Sequence, residues 1–254
     1  MSATLIIAFF VILAISVVFS MFGKGGGSLY TPVLVMLGYG VSVAIPTSLF
    51  LNLVTALVAT IVFARNHLVD FKFSSIFLPG TVAGSVLGAV LSSRAPKNLL
   101  LGIFSAFLLG VGALMIFSTK GKAERPVRRL SPGLGAVIVL FSFAVGVLSS
   151  LIGVGGGLII FPFLVLYMRY SAQKAAGANS FIVTISSIVG TAGHFALGHI
   201  DFVLIGLTAI AAAFGSAVGS HVTVKASPSF VKVAFAFIMW FFAVEIALHL
   251  LRVV

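Results

Sequence analysis

The sequence predicts an all-α, polytopic membrane protein built from two inverted repeats, each a glycine-tipped re-entrant helical hairpin followed by three spanning helices. Three observations carry that expectation. The 254 residues are 61% hydrophobic and only 7% charged, whereas a soluble domain carries about 25% charged side chains. Apolar runs of membrane-crossing length recur along the whole chain, and mean hydropathy is +1.29. The chain also repeats itself at a nearly constant offset. A soluble enzyme and a disordered tail are excluded together, and the absence of cysteine excludes a disulfide scaffold and thiolate metal sites.

A crossing helix needs about 20 mostly apolar residues, because the hydrocarbon core is about 30 Å thick and a helix rises about 1.5 Å per residue. Residues 3–22 form the first such run; they lack a basic leader and a small-x-small cleavage site, so they read as retained structure. Residues 28–37 are too short to span and follow a glycine cluster directly. Runs at 43–64, 74–92 and 99–117 complete a first repeat over residues 1–118. Residues 119–131 are polar, with Lys120, Lys122, Arg125, Arg128 and Arg129 against Glu124 alone. Such a loop stays on the cytoplasmic side and reads as a linker. The second repeat, residues 132–254, has runs at 132–152, 175–197, 202–224 and 230–250 and a short one at 158–167, again directly after glycines. The formal charge of +11 lies in the gaps between runs, which indicates membrane topology and lipid contact; no nucleic-acid partner is expected.

The duplication is specific. Gly23-Lys24-Gly25-Gly26-Gly27 with Pro32 returns as Gly153-Val154-Gly155-Gly156-Gly157 with Pro162, at an offset of 130 by subtraction. Thr47-Ser48 falls on Asn179-Ser180, His67 and Asp70 on His199 and Asp201, Gly84 and Gly88 on Gly215 and Gly219, and Arg94 on Lys225, with offsets drifting only to 132. If each cluster is a hairpin tip, three crossings remain per half and the halves are inverted. Arg65, Lys72, Arg169, Lys174, Lys225 and Lys232 then face the cytoplasm, with Arg94, Lys97 and Arg252 outside. A mere kink at each cluster would leave Arg169, Lys174, Lys225 and Lys232 outside, so charge favours inversion.

Non-helical backbone at membrane depth needs partners for its amides, and a bound anion is one. Glycines reach positive φ, and the short helix after each cluster opens with free N–H groups and a dipole that favours negative charge. A side chain at Gly26 or Gly156 is expected to fill the anion's place. The glycines at 84, 88, 215 and 219 are instead the small residues that let helices pack closely.

The doubled Gly-x-Gly-Gly-Gly with its trailing proline, at the start of each half and followed by Thr47-Ser48, resembles the sulfite exporter TauE/SafE family of bacterial membrane transporters. The resemblance covers nearly the whole chain. It implies export of a small sulfur-containing anion, such as sulfite or a sulfonate, through the inner membrane. It carries onto Gly23, Gly25, Gly26, Gly27 and Pro32, onto Gly153, Gly155, Gly156, Gly157 and Pro162, and onto Thr47 and Ser48. Asn179 stands where the first half has Thr47, and Val154 where it has Lys24, so the site is not strictly symmetric.

The remaining polar residues complete the expected site. Thr47, Ser48 and Asn52, with Asn179, Ser180 and Thr184, offer hydroxyl and amide donors that hold an oxyanion loosely enough to release it. The first and last of each set stand about 140° apart around the helix, so at most two of each face one cavity. Lys24 lends a full charge to the anion or else snorkels to water. Glu245, the only carboxylate within a spanning run, and His194 are candidates for proton coupling; a surface pair and a packing histidine are the blander readings. Asp70 and Asp201 cap the helices that follow them. No cofactor, metal site or catalytic constellation emerges, so the chain reads as a transporter rather than an enzyme, with a passive anion channel and an intramembrane enzyme as the alternatives.

Overall fold

The computed structural model describes residues 3–91, 97–117, 132–152, 156–195 and 201–253, and at some helical positions, His194 among them, the backbone alone. Every described element is helical. In order these are α1 (Ala3–Ser20), α2 (Gly27–Met36), α3 (Val41–Arg65), α4 (Phe71–Ser74), α5 (Phe77–Leu91), α6 (Lys97–Phe117), α7 (Pro132–Ile152), α8 (Gly157–Pro162) with a π turn over Phe163–Tyr167, α9 (Ala172–Phe195), α10 (Phe202–Lys225) and α11 (Pro228–Val253). Four described helices are long and apolar enough to cross a membrane alone: Ser42–Arg65, Gly133–Leu151, Phe202–Lys225 and Pro228–Leu248. Large apolar side chains face outward as a bilayer requires, among them Leu140 at 74% exposed and Phe117 at 70%. The linker 119–131 lies outside the described residues.

Two local details depart from the uniform runs. The expected run 74–92 is realised as α5 over Phe77–Leu91, preceded by the short helix α4, with Ser75 closing α4. Pro79 explains the break: its missing N–H cannot reach the Ser75 carbonyl, and its ring would strike that carbonyl in a continuous helix. Ile210 stands at the matching place in the second half, and α10 runs unbroken. Both starts are capped as expected. Asp70 accepts from the Phe73 amide at 3.0 Å, and Asp201 accepts from Val203 and Leu204, also at 3.0 Å. The second short arm passes from α-helix into a π turn, with Met168 N–H donating to the Phe163 carbonyl at 3.1 Å and the Phe163 ring stacked on Phe141 at 3.9 Å.

Helix directions follow from which side chains meet. Ala8, Leu34, Ala44 and Leu204 pack together in one layer, and Ile12, Tyr30, Leu51, Ala211 and Ala212 in the next. Thus α1, α3 and α10 run the same way while α2 runs against them, so the chain enters along α1 and returns along α2. In the second half the Gly156 backbone lies beside Ser149, and Phe163 beside Phe141; α7 and α8 form the corresponding hairpin.

The halves are interleaved. Gly80, Gly84 and Gly88 of α5 lie in turn against Val139, Phe143 and Val147 of α7, so close that a Cβ would strike the backbone. Gly215 and Gly219 of α10 lie likewise against Leu13 and Val17 of α1. Gly84, Gly88, Gly215 and Gly219 are the expected small-residue contacts, Gly80 extends the first set, and each joins one half's hairpin to the other half's spanning helix. Between them α3 and α9 cross antiparallel: Gly177 abuts Leu68, Thr184 pairs with Thr60 at 3.0 Å, and Asn52 donates to Ser187 at 2.7 Å. The helices α6 and α11 also run antiparallel, through Ser105 to the Ala243 carbonyl and Trp240 to the Leu109 carbonyl.

Candidate functional site

Both glycine tips arrive at the middle of this assembly. Phe22, just before the first cluster, Phe161 of α8 and Phe235 of α11 form an aromatic knot with centroids 4.3–5.9 Å apart. Gly23 and Gly25 adopt φ +64° and +69°, the left-handed region that glycine enters without strain. A Cβ on Gly23 would also strike the Ala176 carbonyl, and one on Gly25 the Asn52 side chain. The first tip is therefore built against α9 of the opposite half and α3 of its own. The tips touch each other through Gly157, where a Cβ would lie 2.8 Å from Lys24 Cγ and 3.2 Å from Asn179 Nδ2.

Two asparagines hold the tips. Asn52 Oδ1 accepts from the Gly27 amide at 2.9 Å, satisfying an early N–H of α2, while its Nδ2 donates to Ser187. Asn179 Nδ2 donates to the Phe22 carbonyl at 2.9 Å and to the Gly157 carbonyl at 3.2 Å, clamping the two hairpins together. The two amides occupy non-equivalent places in the repeat. At the counterpart of Asn179, Thr47 turns its hydroxyl to the Val43 carbonyl. At the counterpart of Asn52, Thr184 pairs with Thr60. Ser48 and Ser180 bond the Ala44 and Gly177 carbonyls of their own helices. The described contacts thus bring one residue of each expected set directly onto the tips.

Lys24 is the electrostatic centre. It is 4% exposed, and Nζ donates to Ser28 Oγ at 2.8 Å. The ammonium stands 4.8 Å from the ring centroids of both Phe19 and Phe242. No ion pair joins it to a carboxylate among the described residues. A buried ammonium held by a hydroxyl and two ring faces has no counter-charge among the described residues.

The other expected residues fall as follows. The short helices begin at Gly27 and Gly157 as anticipated, with Pro32 and Pro162 inside the short arms. At Gly26 the space a Cβ would take is held by the Tyr30 ring, so the closest occupant there is protein. At Gly156 a Cβ would meet Val145 Cγ1 at 3.2 Å and Ser149 Oγ at 3.4 Å. Gly153 and Gly155 lie outside the described residues. Glu245 is exposed on α11, one turn beyond Phe242, and His194 is in the last turn of α9, its side chain outside the described set.

Several participants are missing from the sequence reading. The Tyr30 hydroxyl bonds Ser16 at 2.7 Å and Thr55 at 2.8 Å, and Ser216 donates to the Thr55 carbonyl at 2.6 Å, tying α1, α2, α3 and α10 into one buried network. The available signal was register: Ser48, Asn52 and Thr55 recur at i, i+4 and i+7, as do Ser180, Thr184 and Ser187, each marking one helix face. A second overlooked repeat sits in the connecting turns. Burial and then the Asp70 carboxylate of the other half push the Tyr170 hydroxyl pKa up, and burial with Asp201 raises Tyr39. Tyr39 and Tyr170 are separated by 131 positions, as are Asp70 and Asp201.

Comparison with known proteins gives a consistent answer. Probable membrane transporter protein YunE of Bacillus subtilis is 26% identical over 231 residues, covering 81% of this chain and 84% of its own length. A probable membrane transporter protein of Haemophilus influenzae is 25% identical over 249 residues, covering 90% and 92%. One from Methanocaldococcus jannaschii is 25% identical over 237 residues, covering 87% and 86%. No solved structure matches the chain. The family model described as Sulfite exporter TauE/SafE matches residues 8–246, a stretch that takes in both hairpins, the antiparallel seam and most of α11; the chain is a membrane transporter belonging to the sulfite exporter TauE/SafE family.

Proposed function

We propose that the protein exports small sulfur-containing anions, such as sulfite or sulfonates, across the bacterial inner membrane, binding one anion between the two glycine tips. The observation that carries this reading is the buried, carboxylate-free ammonium of Lys24 at the place where the tips meet. Gly157 lies against Lys24, and the proposed site takes in Gly23, Gly25, Gly26, Gly27 and Gly156 as well, with Asn52 and Asn179 as the amides on the tips. Thr47, Ser48, Ser180 and Thr184 are held in reserve, their hydroxyl hydrogens turned to internal partners until the helices move.

The antiparallel crossing of α3 and α9 supports inversion, since helices exchanged by a two-fold axis are antiparallel only when that axis lies across them, in the membrane plane. The same interleaving supports rocking of the halves about a fixed site, with the basic linker on the cytoplasmic side. Proton coupling falls to Glu245 and His194. Membership of a transporter family favours a carrier over an intramembrane enzyme.

The test is uptake of labelled sulfite, sulfate and a small sulfonate into proteoliposomes, with and without an imposed pH gradient. Saturable flux of a sulfur anion is expected. Conductance without saturation would replace the carrier with a channel, and no flux of all three would remove the substrate class.

A further inference from the structure

Asn179 makes a demand that the described residues do not meet. Its side chain is fully buried, and while Nδ2 serves two carbonyls, Oδ1 has no hydrogen-bond partner among the described residues. The orientation of the amide is set by those partners: a flip would point Oδ1 at the Phe22 and Gly157 carbonyls, oxygen against oxygen. The unmet atom is therefore an acceptor, and it belongs to the residue that borders the tip junction beside Lys24. A buried acceptor left without a donor is costly, and a ligand able to donate is the natural complement.

A fully ionised oxyanion offers acceptors only. It satisfies Lys24 but leaves Asn179 Oδ1 unmet, and a dianion carries one charge more than the single ammonium neutralises. An anion with one negative charge and one remaining O–H satisfies both residues. We propose that the site selects a singly charged oxyanion that retains a hydroxyl, of the hydrogen-sulfite type, with Lys24 countering its charge and Asn179 Oδ1 accepting its proton as a hydrogen bond. No proton is transferred and no bond is made or broken. The inference rests on the anion-transport reading and narrows it.

The test compares competitors of labelled sulfite uptake in proteoliposomes at one mildly acidic pH. Methanesulfinate has the shape and single charge of hydrogen sulfite with a methyl group in place of the hydroxyl; sulfate supplies the dianion. Unlabelled sulfite is expected to compete at least about tenfold better than methanesulfinate, the penalty for an unpaired buried acceptor, and sulfate more weakly still. In Asn179→Val the gap between sulfite and methanesulfinate is expected to close. Equal competition by methanesulfinate in the unaltered protein overturns the inference while leaving sulfur-anion transport standing. A folded Asn179→Val that keeps the full gap overturns it too. Absence of any sulfite uptake removes the transport reading and this inference with it. Valine also deletes two tip hydrogen bonds, so where that variant fails to fold the unaltered protein's competition decides.

Discussion

Replacing Lys24 with methionine separates binding from folding, because the two respond with opposite sign. Methionine keeps the length and apolar stem of the side chain and removes only the charge. On the binding side, an anion seated about 4 Å from the ammonium gains about 4 kcal/mol at an effective dielectric near 20. Removing it weakens affinity by about a thousandfold. On the folding side, three contacts are lost: the bond to Ser28 and the two ring contacts with Phe19 and Phe242. Those contribute about 1.5–3 kcal/mol for a charged hydrogen bond and about 0.5–2 kcal/mol for each ring. Relief of burying an ammonium, several kcal/mol by itself, offsets them. Lys24→Met is therefore expected to abolish saturable flux at substrate levels that saturate the unaltered protein, while thermal stability in detergent stays equal or rises. Flux with unchanged half-saturation would refute the role of Lys24, and a destabilised, inactive variant would assign the ammonium to the fold.

Other positions isolate single causes. Gly23→Ala places a Cβ against the Ala176 carbonyl at φ +64° and should cost about 1–2 kcal/mol in backbone strain, with overpacking on top, whereas Gly110→Ala in α6, with nothing within 4 Å, should be neutral or mildly stabilising; thermal unfolding of the pair checks both. Asp201→Ala should lower stability by about 1 kcal/mol through loss of the α10 cap without altering substrate competition, which a melting curve and a competition assay test together. Glu245→Gln should flatten the pH dependence of flux if that carboxylate carries the coupled proton, and an unchanged profile shifts the role to His194.

The frame was legible because it is set by length and charge. A crossing requires a run of known minimum length, and the runs at 132–152 and 202–224 correspond closely to α7 and α10. That α2 runs back against α1 agrees with the hairpin expected at the first glycine cluster. Pro79 was in view, but within an apolar stretch its demand on the Ser75 carbonyl competes with a strong span signal. The division of labour between Asn52 and Asn179 was hidden for another reason. Alignment of the halves pairs each asparagine with a threonine, and only the tertiary crossing of α3 and α9 shows that each amide reaches a tip from a different turn of its helix. At Gly26 the space beside the backbone depends on Tyr30, four residues on, whose ring folds back over it.

What the two halves share and what they do not divides by function. The shared residues are packing devices: the glycines of α5 and α10 that seat the opposite hairpins, and the aspartates that start α4 and α10. On the proposed transport reading, such matched contacts in the two halves would suit alternation between two sides. The divergent residues are those with chemistry. Lys24 has Val154 as its counterpart, Asn179 has Thr47, and Tyr30 has Ile160. Two like charges at touching tips would repel strongly at low dielectric and would hold an anion from both sides too tightly to let it leave. With one ammonium the tips share a single charge, and release needs only one contact to be exchanged. On the proposed reading, duplication supplied the symmetric machinery of movement, and the loss of symmetry at Val154 is what makes the site bind one monoanion and let it go.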